Sequence, residues 1–167
     1  MGPTLSDATV AVYAAKGPRN SDGGDQGFHN IGVRPTAEDL GRAALGPNGA
    51  PWQEINSPAN RGAFKTPTLR NVKLTAPYFH NGGKAMLGDV VDFYAKGGDF
   101  ANPEKSKLMK PFTLGSGDKT ALVDFLTNGL TDCRVEMERA PFDHPSLTLP
   151  NGANLAATGA AGRGTCN

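Results

Sequence analysis

The chain has little cysteine, few aromatic residues, almost no net charge and no long apolar run. Each shortage removes a class of protein. The two cysteines, Cys133 and Cys166, match no zinc or redox spacing. Two readings of them stay open: unrelated thiols, or a disulfide tying the C-terminal tail to the body, which requires an oxidising compartment. Net charge is +1 with both signs interspersed, so nothing favours nucleic acid or an anionic membrane. No apolar run reaches the length of a transmembrane helix. The start, "MGPTLSDATV", has no basic n-region and no apolar h-region. It reads as having no signal peptide, so either the protein is cytoplasmic or the chain lacks its natural start. There are no internal repeats. Nor is there a nucleophile elbow, a phosphate loop or a His-Glu-x-x-His motif.

What is abundant is turn-forming residues. A length of 167 residues predicts one domain. Gly 22 and Pro 13 make up about a fifth of it. That composition predicts short helices joined by long ordered loops. Residues 1–30 read as loop, with a short ordered turn at "VAVYAA". "RPTAEDLGRAALG" predicts a short helix capped by Thr36, with Asp39 at the capping-box position and Gly46 ending it. Residues 47–63 read as loop with Trp52 as an anchor. "AMLGDVVDFYAKGG" predicts a clearer helix, with Leu87, Val90, Val91 and Tyr94 on one face and Gly97 and Gly98 at its end. "SGDKTALVDFLTNGL" predicts another, capped by Ser116, with Ala121, Leu122, Phe125 and Leu126 as its apolar stripe. A shorter helix starts near Thr131 and stops before Pro141.

The densest segment is "FKTPTLRNVKLTAPYFHNGG", residues 64–83. An exposed loop has no need of Pro77, Tyr78, Phe79 and His80 together, so they read as the wall of something apolar and flat. Of the three histidines, His29 and His144 read as hydrogen-bonding brackets in loops. Tyr94 is either a core residue with its hydroxyl satisfied or a ligand, because phenolate can hold ferric haem iron.

"GAFKTPTLRNVKLTAPYFHNGG" resembles the C-terminal haem domain of bacterial di-haem cytochrome c peroxidases and their MauG-like relatives. "GFHNIGV", "DLGR", "DVVDFYAKGG", "LVDFLTNGLTD" and "ERAPFDHPSL" resemble the same family in the same order. The resemblance covers residues 2–152. It implies a mainly α, cytochrome-c-like haem domain over 1–152, with short helices and long ordered loops, followed by a flexible tail at 153–167. It implies haem c as cofactor and a role in electron transfer to a haem that reduces hydrogen peroxide. Tyr94 falls at the distal-ligand position, as in MauG-like members, and His80 falls on a family His near the haem. Thr75 and Pro77 fall on main-chain carbonyl ligands of a calcium ion, a hard cation suited to oxygen donors. The implied partners are an N-terminal haem domain or separate chain and a small redox protein as electron donor. The implied location is the periplasm.

The chain departs from the family in one respect: it contains no Cys-x-x-Cys-His motif. "MGPTLSD" matches the residues that follow that motif in the family, so the chain reads as a piece beginning just past it. An alternative follows, a haem-less relative serving as a structural or metal-binding module. Its three histidines, Tyr94 and carboxylates would hold the metal, and dimerisation would cover the exposed apolar pocket.

Overall fold

Leu87–Ala95 form the first α-helix among residues 19–166, which the computed structural model describes. We call this helix α1. Asp89 sits in its first turn, where a carboxylate complements the helix dipole. The amides of Asp89 and Val90 both donate to the Met86 carbonyl. The helix ends because Gly97 and Gly98 turn left-handed, at φ 81° and 96°. A side chain at Gly98 is also excluded by space, since a Cβ there would lie 2.5 Å from the Ile31 carbonyl oxygen. Leu87 and Val91 are buried, as the helical spacing predicts, but Tyr94 is not. Phe93 is buried instead, at 1% exposure. The last turn of α1 is covered from a different side: the Phe112 amide donates to the Ala95 carbonyl, and Pro111 packs on Gly97.

Helix α2 spans Ser116–Asp124 and runs on into a π-helical turn, Phe125–Gly129. Ser116 is the first helical residue and not its cap; that position belongs to Gly115, which has no side chain to donate or accept. Of the expected stripe only Leu126 is buried, while Leu122 and Phe125 are exposed. The Phe125 ring lies over Gly129, where a Cβ would approach it to 2.7 Å. Helix α3, Cys133–Glu136, is capped by the Asp132 carboxylate, which accepts from the Arg134 amide.

Two antiparallel pairs complete the regular structure. β1, Phe28–His29, pairs with β2, Phe64–Lys65. β3, Leu147–Thr148, pairs with β4, Asn154–Leu155. The mainly α class expected from the sequence is therefore overturned. Among the described residues the α-helices are nine, nine and four residues long, set among short 3-10 and π-helical turns, bridges and two small sheets. The cause is turn density: the chain is broken too often for helices to grow far past their nucleus.

The helix expected over 34–46 is one such loss. The amides of Glu38 and Asp39 both return to the Pro35 carbonyl, closing a turn. At Gly41, φ 52°, the chain leaves that turn to bridge Ala63, so closely that a Cβ would lie 2.5 Å from the Ala63 carbonyl oxygen. Thr36 does not cap a helix; its hydroxyl accepts from Asn30. Trp52 covers Gly46 with its indole yet stays 55% exposed. The turn expected at "VAVYAA" lies outside the described residues.

The chain divides into two compact units, one of residues up to Pro67 plus Val91–Leu114, the other of Thr68–Val90 plus residues from Gly115 onward. In the first unit, carboxamides and a carboxylate do work that longer helices and sheets do elsewhere, satisfying buried backbone groups. Asp25, Asn30 and Asn60 are nearly inaccessible. The Asp25 carboxylate accepts from Arg42 and from the amides of Glu54 and Ile55. Asn30 donates to Thr36 and the Arg61 carbonyl and accepts from Gly32 and Asn102. In the second unit, Asn71 donates its amide to the Leu130 carbonyl and accepts the Asp132 amide on its side chain. Cys133 is disulfide-bonded to Cys166. No helix among the described residues is long and apolar enough to cross a membrane.

Candidate functional site

Tyr94 stands in the last turn of α1, within the first unit. Its ring meets the edge of Phe93 with 5.4 Å between centroids and an interplanar angle of 89°. Phe93 is fixed by burial, so it fixes the ring beside it, in an arrangement favoured for aromatic pairs. Tyr94 is 40% exposed, a large aromatic surface held at the protein boundary. Partial burial raises the phenol above its ordinary value. At neutral pH Tyr94 is therefore a neutral phenol, and only a strong Lewis acid would make it a phenolate ligand.

Thr75, Pro77 and His80 lie together on one loop of the second unit. A short 3-10 helix, Val72–Thr75, leads into it, and the Thr75 hydroxyl donates to the Val72 carbonyl. The Ala76–Pro77 peptide is cis. Tyr78 and Lys84 then close the loop as an antiparallel bridge, with the Tyr78 amide donating to the Lys84 carbonyl at 2.7 Å. His80 sits exposed at its turn, after Phe79 at φ 66°. The carbonyls of Thr75 and Pro77, both exposed residues, are oxygen donors of the kind calcium takes, but they are two of the roughly six to eight it needs.

The other histidines do structural work. The His29 ring is 3.5 Å from the Ser106 hydroxyl, and His144 is 3.4 Å from the Glu138 carboxylate. Among the described residues, no group of three or more His, Cys, Asp or Glu side chains is placed to hold a metal ion.

A haem c can be tested against these residues in two parts. Tyr94 offers an oxygen donor of the kind that could hold ferric haem iron, on a ring backed by Phe93. The covalent anchor does not fit, because both cysteines of the chain are consumed by their own disulfide and no Cys-x-x-Cys-His is present. Sequence reasoning missed Phe93 as the residue that orients Tyr94. Period-3.6 counting puts it off the Leu87–Val91 stripe, yet it is buried.

No protein-family model matches the chain. It is 39% identical over 102 residues to the methylamine utilization protein MauG of Methylorubrum extorquens, covering 61% of this chain and 26% of that protein. It is 46% identical over 70 residues to the cytochrome-c peroxidase IdrP1 of Pseudomonas sp. strain SCT, covering 42% and 18%. It is 34% identical over 134 residues to MauG of Paracoccus denitrificans, covering 65% and 34%. The chain thus spans from 18% to 34% of the length of these relatives. Among solved structures it is similar to a MauG-like protein associated with microbial copper homeostasis, with a TM-score of 0.52 and 34% identity over 69% of this chain and 37% of that one. These likenesses, partial in length, support a MauG and di-haem cytochrome-c peroxidase-like family for the chain.

Proposed function

We propose that this chain is the redox domain of a di-haem cytochrome c peroxidase-like oxidoreductase, passing electrons to a haem at which hydrogen peroxide is reduced. The observation that carries the reading is Tyr94, presented half-exposed from α1 on the buried edge of Phe93, in a chain whose relatives are MauG and cytochrome-c peroxidases. Haem c, when bound, supplies reversible one-electron chemistry at iron. The chain's own part is positioning. Phe93 holds the ring of Tyr94, the Gly97–Gly98 turn fixes where α1 ends, and the raised phenol stays protonated until a metal competes for its oxygen. His80 supplies a polar group at the turn of the 78–84 loop. Thr75 and Pro77 would contribute two carbonyls toward a calcium ion.

The partners in this reading are a second haem domain and a small redox protein as electron donor. The periplasm is the matching compartment, and the Cys133–Cys166 disulfide supports it, since such bonds persist where the surroundings are oxidising. A second reading, a haem-less structural module, draws on one observation: both cysteines are in that disulfide and neither can form a thioether to haem. Iron content and the visible spectrum of the purified protein separate the two. A haem band with matching iron supports the redox domain. Protein free of haem and iron, even with its haem-domain partner present, supports the module.

A further inference from the structure

Residues 154–166 have the composition of a loose tail, rich in Gly, Ala and Asn, yet they are docked along their length in the second unit. β4 pairs with β3. Thr158 and His144 exchange both backbone hydrogen bonds, and the Ala140 amide donates to the Ala160 carbonyl. The Arg163 amide donates to the Met137 carbonyl at 2.7 Å. Gly162, at φ 69°, passes so close that a Cβ would lie 2.5 Å from that same Met137 oxygen. Glu138 gathers the side chains: its carboxylate accepts from Thr158 at 3.0 Å, pairs with the Arg163 guanidinium and faces the His144 ring. Cys166 closes the arm onto Cys133.

These contacts are polar. None of the buried apolar residues, Ala63, Leu87, Val91, Phe93 and Leu126, belongs to the arm or to the 133–144 segment beneath it. The Arg163–Glu138 pair is partly solvated, with 56% of the arginine side chain exposed, and such pairs contribute little. Ordering a dozen residues costs conformational entropy on every one of them. Hydrogen bonds at a surface return only a modest share of that.

We propose that Cys133–Cys166 is a redox latch that holds residues 154–166 docked, and that its reduction releases this arm while the rest of the unit stays folded. Cys166 is exposed, so a thiol reagent can reach it. A thiolate of an external dithiol attacks the Cys166 sulfur, the Cys133–Cys166 bond breaks, and Cys133 leaves as a thiolate that takes up a proton. The second thiol of the reagent then displaces Cys166, and the reagent departs as its own disulfide. Closure is the reverse exchange with an external disulfide as oxidant.

Hydrogen exchange of the whole chain, with and without dithiothreitol, tests this. The amides of Thr158 and Arg163 report the arm; those of Asn71 and Leu130, bonded to Leu130 and Phe125 carbonyls, report the body. Reduction is expected to speed exchange at Thr158 and Arg163 at least tenfold and to leave Asn71 and Leu130 unchanged. Cys166→Ser is expected to reproduce this without reductant. Continued protection of the arm after reduction overturns the latch, and so does loss of protection in arm and body together, which would make the bond a staple for the whole unit. A Cys166→Ser chain whose arm exchanges as slowly as the oxidised protein overturns it as well.

Discussion

Phe93 and Tyr94 are neighbours in sequence but opposites in environment: one is 1% exposed and the other 40% exposed, with their rings edge to face. The pair divides labour, Phe93 anchoring the end of α1 and Tyr94 facing outward. Phe93→Ala should cost about 3–5 kcal/mol, the range for emptying a buried aromatic site. Tyr94→Phe should cost about 1 kcal/mol or less, since it removes one hydroxyl from a partly solvated ring. Urea denaturation of the two variants measures both. A Tyr94→Phe loss as large as that of Phe93→Ala would make Tyr94 a core residue.

Asp25 makes stability depend on acid. Burial by itself raises its carboxyl, but the Glu54 amide, Arg42, Asn60 and the Ile55 amide together hold it below the ordinary carboxylate value. A carboxyl depressed in the fold contributes stability that is fully present above its unfolded value, about 3.9. That contribution is lost as pH falls through the folded value. Asp25→Asn should therefore destabilise the protein at pH 7 and flatten the decline of its midpoint at acid pH. Equal acid sensitivity in both proteins would remove Asp25 from this role.

Gly98 fixes the exit from α1 by conformation and by space. Gly98→Ala forces a side chain into φ 96° and onto the Ile31 carbonyl. A loss of about 1–3 kcal/mol is expected, the scale of such backbone strain. Gly117→Ala is the control, because open space surrounds Gly117 inside α2. It should be neutral or stabilising by up to about 1 kcal/mol.

Much of this was legible in the sequence, and the losses have physical causes. The 64–83 segment and α1 stood out because their residues are large, specific and punctuated by Gly97 and Gly98. The helix expected over 34–46 did not form, because a cap signal at Thr36 is also a hydrogen-bonding hydroxyl and Asn30 takes it. Phe93 was invisible because it lies off the Leu87–Val91 stripe, so no local period marks it as buried. Thr75, Pro77 and His80 share a loop, as their closeness in sequence implies. The docking of residues 154–166 was hidden by small residues whose backbones make the contacts.

The cysteines carry a prediction of their own. With both in one disulfide, non-reducing peptide mapping should recover Cys133 and Cys166 as a linked pair free of any haem adduct. A haem mass on either peptide would contradict the assignment.

The central claim is that this chain serves a haem through Tyr94. The direct measurement is the visible spectrum, with iron content, of the protein purified together with its haem-domain partner, before and after Tyr94→Phe. A haem band with stoichiometric iron is expected, with a ferric spectrum that changes when the phenol is removed. A haem-free preparation, or a ferric spectrum identical in Tyr94→Phe, would contradict it.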